Sequence, residues 1–136
     1  MSTGASAAVT APSKAALWTG RILSGLIGTM MLLDGVMKIV KPKEVVEQTV
    51  KMGYAESVIL PLGVALTISA VLHLIPQTAV IGAILLTGYL GGAVDAHVRN
   101  GDPAWQLALP ALFGVLIWIG LVLRDPRLRA RVLWRD

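Results

Sequence analysis

Two pairs of charged side chains, each near the end of an apolar segment, have the residue types and spacing needed for proton exchange or for binding a ligand. Asp34 and Lys38 are four residues apart, as are Asp95 and Arg99, and His97 lies between the latter two. Residues four apart share one face of a helix, so each pair could be an ion pair that holds a helix end. Alternatively, a carboxylate beside an imidazole, which titrates near neutral pH, could exchange protons while a cation orients an oxygen-bearing ligand. The residues alone leave both interpretations open.

The composition indicates that these residues belong to a membrane protein. The mean hydropathy is +0.72, and 55% of the 136 residues are hydrophobic, which is more than a soluble domain carries. The net charge of +4 is ordinary for a protein whose cationic ends meet anionic lipid, so we expect membrane lipids and no nucleic acid as partners. The absence of cysteine excludes disulfides, a thiol redox relay and thiolate metal sites.

Four apolar segments are long enough to cross a bilayer, which takes roughly 20 residues of helix. The predicted spans are about 18–40, 57–75, 77–98 and 105–123. They form a membrane domain over 17–124, between a disordered tail over 1–16 and a basic tail over 125–136. Apolar residues at helical spacing among the charges of 41–56 predict a short helix on the membrane surface. The expected fold is therefore all-α, an integral membrane four-helix bundle with a short surface helix between spans 1 and 2.

Small residues recur every fourth position in two of the predicted spans. Gly88 and Gly92 leave one side of the third span nearly bare, and Gly20, Ser24 and Gly28 do the same in the first. Such stripes allow another membrane helix to approach closely. We expect both stripes to be surfaces for helix packing.

Four spans place both chain termini on one side of the membrane. The five arginines between positions 124 and 135 favour the cytoplasm for that side, and we expect a multi-pass protein of a bacterial-type inner membrane. The first and third spans then run in the same direction, so most of the polar residues near the spans gather at the opposite end. These residues are Asp34, Lys38, Tyr54, Glu56, Asp95, His97, Arg99, Asp102 and Trp105.

One stretch carries a family resemblance. PQTAVIGAILLTGYLGGAVDAHVRNG, residues 76–101, resembles the most characteristic segment of the DoxX-like family of small four-helix membrane proteins, IPRTAxLGAxLLTGYLGGAxATHVRxG. Weaker similarity continues in LLDGVMKIVKP, MGYAESVILPLGV and WIGLVLRDPRLR. The chain departs from the family pattern at Gln77, where arginine is usual, and at Asp95 and Ala96, where alanine and threonine are usual.

The resemblance implies an accessory or anchor subunit of a membrane redox system. Members of the family are linked to thiosulfate oxidation with a quinone acceptor, or to membrane complexes that handle redox stress. A quinone-like lipophilic ligand and a redox partner subunit are therefore expected, and a homo-oligomer is a further possibility. The candidate ligand-binding residues are Lys38, Tyr89, Arg99 and Trp105.

The alternative is a stand-alone intramembrane enzyme, an isomerase or cyclase that acts on a lipophilic substrate by acid–base chemistry. The reason for this alternative is Asp95, which stands where the family has alanine and would donate the proton. The candidate catalytic residues are Asp95, Asp34 and His97. A third hypothesis is a structural or permeating protein. No His or Glu cluster has zinc spacing, and His73 and His97 lie at opposite ends of the bundle, so we expect no metal site.

Overall fold

The structure is a computed structural model that describes residues 13–133, and these form helices joined by short connectors. The α-helices in this range are α1 (Lys14–Val40), α2 (Lys43–Lys51), α3 (Ile59–Leu74), α4 (Ala79–Asn100), α5 (Ala104–Arg124) and α6 (Pro126–Leu133). Single 3₁₀ turns, Glu56–Val58 and Pro76–Thr78, precede α3 and α4. Helices α1 and α5, and α3 and α4 each taken with the 3₁₀ turn before it, are long and apolar enough to span a membrane. This confirms the all-α four-helix membrane bundle.

The first helix begins four residues before its predicted start at about 18, because Ser13 caps it. The Ser13 hydroxyl accepts a hydrogen bond from the backbone N–H of Ala16 at 3.1 Å, which satisfies one of the free donors of the first turn. The helix ends where Lys41 adopts a left-handed conformation with φ of 58° and Pro42 follows. Residues 1–12, which make up most of the predicted N-terminal tail, lie outside the described residues.

The four long helices form a closed ring in which sequence neighbours are antiparallel. Helices α1 and α4 each pack against both α3 and α5. The large buried side chains on the inside are Ile27 and Met31 of α1, Leu66 of α3, Leu86 and Leu90 of α4, and Ile117 and Leu121 of α5. Many equally large apolar side chains point outward, among them Ile22, Ile68, Ile84 and Val115, each more than half exposed. An apolar exterior of this kind suits lipid rather than water.

This arrangement gives the bundle two distinct ends. We call the end where α1 and α4 finish and α3 and α5 begin the connector end, because α2 and the α4–α5 turn lie there. The opposite end, with the start of α1, the α3–α4 turn and the finish of α5, is the termini end.

Glycines set the closest approaches between the helices. A Cβ atom on Gly20 would stand 2.7 Å from the carbonyl oxygen of Gly120, and one on Gly28 would stand 2.6 Å from the side chain of Leu74. Gly20, Ser24 and Gly28 are all buried, which confirms the predicted packing stripe of α1. On α4 the close contact is made elsewhere, because Gly82 lies directly against the backbone of His73 in α3.

The basic segment that follows α5 is helical over Pro126–Leu133. The Asp125 carboxylate accepts hydrogen bonds from the backbone N–H groups of Arg127 at 2.9 Å and Leu128 at 3.3 Å, and so caps α6. The guanidinium of Arg129 donates to the carbonyl groups of Val122 and Leu123 at the end of α5. The basic segment thus begins as a short helix folded back on α5, and residues 134–136 lie outside the described part of the chain.

Candidate ligand-binding cavity

A cavity of about 460 Å³ opens inside the bundle at the connector end. All four long helices contribute to its wall, and α2 closes one side. Its polar lining comprises Asp34, Lys38, Gln48, Thr49, Tyr54, Tyr89 and His97. Its apolar lining includes Met31, Leu62, Leu90, Leu109, Pro110 and Phe113. The cavity therefore joins a polar region to a wall of hydrocarbon and aromatic groups.

The positive charge of the cavity comes from Lys38, whose side chain is only 14% exposed. Its ammonium group donates a hydrogen bond to Asp34 Oδ1 at 2.7 Å, and the Asp34 side chain is 45% exposed. This pair is the helix-end ion pair that the spacing predicted. Both partners also line the cavity, so this ion pair forms part of its wall.

Two tyrosines supply neutral hydroxyl groups. Tyr89 projects from the middle of α4, and Tyr54 follows the turn at Gly53, whose φ of +92° favours glycine. Within residues 13–133, neither hydroxyl is engaged in a hydrogen bond to a side chain or the backbone. Both hydroxyls can therefore donate to or accept from a ligand.

His97 is held in place by the turn that follows α4. Its Nδ1 atom lies 2.7 Å from Oδ2 of Asp102, and Oδ1 of Asp102 accepts from the Asn100 amide at 2.8 Å. The hydrogen bond with His97 lowers the pKa of Asp102 below its usual value. The imidazole is thereby oriented by a carboxylate, which leaves its Nε2 atom available at the cavity.

Glycines make the room for this cavity. Gly88 and Gly92 line it, and no other helix in the described chain comes within 4 Å of the position a Cβ on either would take. The predicted helix-packing stripe of α4 is therefore not covered by the protein's own helices. Its bare side instead forms cavity wall, because a side chain at these positions would project into the open space.

Three candidate residues lie apart from the cavity. Asp95 and Arg99 form an ion pair at 3.0 Å, with side chains 64% and 65% exposed, and Trp105 is also 64% exposed. Successive helical residues are about 100° apart, so Asp95 lies roughly 200° around α4 from His97. The structure brings Asp34, Lys38, Tyr89 and His97 together and leaves Asp95, Arg99 and Trp105 on the outer surface.

Sequence reasoning did not include α2 in the site. Val45, Thr49 and Met52 line the cavity from this side, with spacings of four and three residues. Thr49 is 6% exposed, and its hydroxyl donates to the carbonyl of Val45 at 2.7 Å. The helical spacing of these residues predicts a short helix here, which the structure confirms, but it does not indicate that one side of this helix faces the bundle.

A second, more open space lies between α4 and α5 on the outside of the bundle. It has a volume of about 710 Å³ and an almost wholly apolar lining that includes Gly91 and Gly114. At its edge the Trp118 indole donates a hydrogen bond to the Thr87 hydroxyl at 2.8 Å. In the described part of the chain, no three His, Asp or Glu side chains come together in a way that could hold a metal ion.

Comparison with known proteins agrees with this architecture. No curated protein and no solved structure matches the chain. A family model described as the DoxX-like family matches residues 22–120, a range that runs from the first to the last spanning helix and contains every residue of the cavity. The chain therefore belongs to the DoxX-like family.

Proposed function

We propose that this membrane protein binds a lipophilic molecule with an oxygen-bearing, quinone-like head group, as an accessory or anchor subunit of a membrane redox system. The observation that carries the proposal is the cavity at the connector end, where polar side chains adjoin an apolar wall. Its volume of about 460 Å³ falls within the range of roughly 300 to 1,000 Å³ typical of small-molecule sites. A head group and the first part of an apolar tail can share such a space.

The donors of the cavity fit a quinone ring. Quinone oxygens are acceptors, and the cavity offers the Lys38 ammonium and the Tyr54 and Tyr89 hydroxyls as donors. His97 directs its Nδ1–H at Asp102, so its Nε2 atom donates to a quinone oxygen only when the ring is protonated. A bound quinone would supply two-electron, two-proton redox chemistry. Lys38 would orient the head group, and His97, held by Asp102, would exchange a proton with it.

The chain has no cysteine for a thiol relay of its own, so the electrons would come from a bound cofactor or from another protein. We therefore propose a redox partner subunit. The arginine-rich termini end lies in the cytoplasm in this proposal, and the cavity faces the outer side of a bacterial-type inner membrane.

A second candidate function is the stand-alone acid–base enzyme. The pair of His97 and Asp102 favours it, because a carboxylate that orients an imidazole is a common arrangement for a general base. In this version His97 and Asp34 act inside the cavity, whereas Asp95 serves only a substrate that reaches the exposed side of α4. Turnover of a lipophilic substrate by the purified chain, without a partner subunit, would favour the enzyme over the accessory role.

The test begins with native mass spectrometry of the protein gently extracted from its host membrane, which identifies retained lipophiles and partner chains. A short-chain quinone is then titrated into the purified protein. We expect Tyr89→Phe and His97→Gln to weaken binding by about fivefold each, the cost of one lost hydrogen bond. Arg99→Gln, a change on the same helix but outside the cavity, should leave the affinity within about twofold. If all three variants bound the quinone as tightly as the unaltered protein does, the ligand would bind somewhere other than the cavity.

A further inference from the structure

A second polar pocket lies at the termini end, far along the bundle from the cavity described above. It has a volume of about 240 Å³ and is formed by the start of α1, the α3–α4 turn and the end of α5. Arg21 and Arg124 line it, together with Asp125 and apolar side chains such as Leu17 and Leu121. Two guanidinium groups thus share a small space at one end of a membrane bundle.

The close packing of α1 on α5 brings these arginines together. A Cβ on Gly20 would stand 3.0 Å from the Cβ of Arg124, so the two helices are almost in backbone contact where Arg124 begins. Arg21 is the next residue of α1. Within residues 13–133, no carboxylate forms an ion pair with either guanidinium. Like charges held close favour binding of an anion.

The third wall of the pocket is the start of α4, which also favours an anion. Pro76, Ala79 and Val80 line the pocket, so the first turn of α4 faces it. The side chain of Thr78 does not cap that turn, because its hydroxyl donates to the carbonyl of Leu72 at 2.7 Å. Uncapped N–H groups at a helix start carry a partial positive charge.

The carboxylate of Asp125 is the one acidic group among the described lining residues. It accepts two backbone hydrogen bonds as the cap of α6, so part of its charge is already engaged. The two arginines leave the pocket with a net positive charge.

Trp18 places the pocket at the level of the lipid head groups. The guanidinium carbon of Arg21 lies 5.7 Å from the centre of the Trp18 ring, and Trp18 is 59% exposed. Exposed tryptophans mark the boundary between hydrocarbon and water in membrane proteins. Ile22, next to Arg21, is 64% exposed and belongs to the lipid-facing side of α1.

We propose that this pocket binds the phosphate group of an anionic phospholipid, with Arg21 and Arg124 as its ligands. Basic pockets between spanning helices are known places for such head groups. Free phosphate has the same charged group, but the position beside Trp18 and Ile22 gives an acyl chain an apolar surface to follow. The site is independent of the cavity and of the function proposed for it.

The experiment measures lipid binding to the full chain in neutral detergent, by native mass spectrometry and by the shift in melting temperature. Phosphatidylglycerol should be retained and should raise the melting temperature, whereas phosphatidylcholine and inorganic phosphate should do neither. Arg21→Gln and Arg124→Gln should each weaken phosphatidylglycerol binding about tenfold, as expected for one lost charge-assisted contact. Arg127→Gln removes a charge from the same end but outside the pocket, and should change binding by less than about twofold.

Three outcomes would overturn the proposal. Equal binding of phosphatidylglycerol and phosphatidylcholine by the unaltered protein would remove the preference for an anion. If Arg127→Gln weakened phosphatidylglycerol binding as much as the two pocket variants do, the lipid would be attracted by the overall charge of this end rather than bound at the pocket. Stabilisation by inorganic phosphate alone would assign the pocket to the free ion instead of a lipid. If Arg124→Gln fails to fold, Arg21→Gln and the lipid comparison on the unaltered protein still decide, because the Arg21 side chain is exposed.

Discussion

The Nδ1 atom of His97, near the end of α4, lies 2.7 Å from Oδ2 of Asp102 in the turn that leads to α5. The same two residues are joined through the backbone, where the N–H of Asp102 donates to the carbonyl of His97 at 3.1 Å. Gly101 lies between them in the left-handed conformation, with φ of 71°, and allows the chain to reverse. One short turn therefore both ends the helix and fixes a cavity side chain.

This pair should make stability depend on pH in acid. The hydrogen bond with His97 lowers the pKa of Asp102 below its ordinary value of 3.8. The resulting stabilisation is present above that ordinary value and is lost as the pH falls through the lowered pKa. We expect Asp102→Asn to lower the melting temperature at pH 7, with a smaller difference from the unaltered protein at pH 3. A difference of the same size at both values would show that the carboxylate charge contributes nothing.

The two acid–cation pairs should respond differently to the same substitution. Asp34→Asn leaves the largely buried Lys38 without a counter-charge and should destabilise the protein by about 1 to 2 kcal/mol. Asp95→Asn breaks an exposed pair and should change stability by no more than about 0.5 kcal/mol. Thermal melting in detergent compares them directly, and Lys38→Met in the Asp34→Asn background should recover part of the loss. Equal costs for the two single variants would contradict the difference in burial.

The glycines of α4 should differ in how much their replacement by alanine changes the stability of the bundle. Gly82→Ala would place a methyl group against the backbone of His73 and should destabilise the bundle by about 1 to 3 kcal/mol. Gly88→Ala meets no neighbouring helix and should be neutral, or stabilising by up to about 1 kcal/mol through helix propensity. Melting temperatures of both variants in one detergent provide the comparison. A loss at Gly88 as large as that at Gly82 would indicate a packing partner for the bare side.

Filling the cavity should remove ligand binding without harming the fold. Gly92→Leu directs a large side chain into the cavity, and quinone affinity should fall at least about tenfold. Gly91→Leu is the matched control, because it adds the same side chain to the adjacent position, which faces the outer groove between α4 and α5. Circular dichroism should show both variants to be helical. Unchanged quinone affinity in Gly92→Leu would exclude the cavity as the binding place.

The fold follows closely from the sequence because each span contains a predominantly apolar stretch of sufficient length. The end at which the polar residues collect also follows, since it depends only on the number and direction of the spans. That argument correctly brought Asp34, Lys38 and His97 to one end. Tyr89 is four residues from Ala93 and eight from His97, so these three lie on one side of α4 and line the cavity together.

What the sequence leaves open is the rotation of each helix about its axis. Gly82 fixes that rotation for α4 by its contact with His73, and the same contact turns Asp95 outward. The position of α2 also depends on tertiary structure, because the left-handed Lys41 and the following Pro42 redirect the chain at the end of α1. Helix propensity and hydrophobic periodicity determine neither the rotation of α4 about its axis nor the direction of α2 after α1. Thr49 and Met52 were therefore not expected in the site.

The close contacts between α4 and its neighbours are unevenly distributed along the helix. Gly82 lies directly against α3 near the termini end, whereas the side of α4 that carries Gly88 and Gly92 meets no neighbouring helix of the described chain. Leu90 and Ala96, at the same level of α4, are buried in the bundle. An occupant beside Gly88 and Gly92 therefore requires no separation of helices that pack against each other, and the same core contacts hold the bundle together whether the cavity is filled or empty.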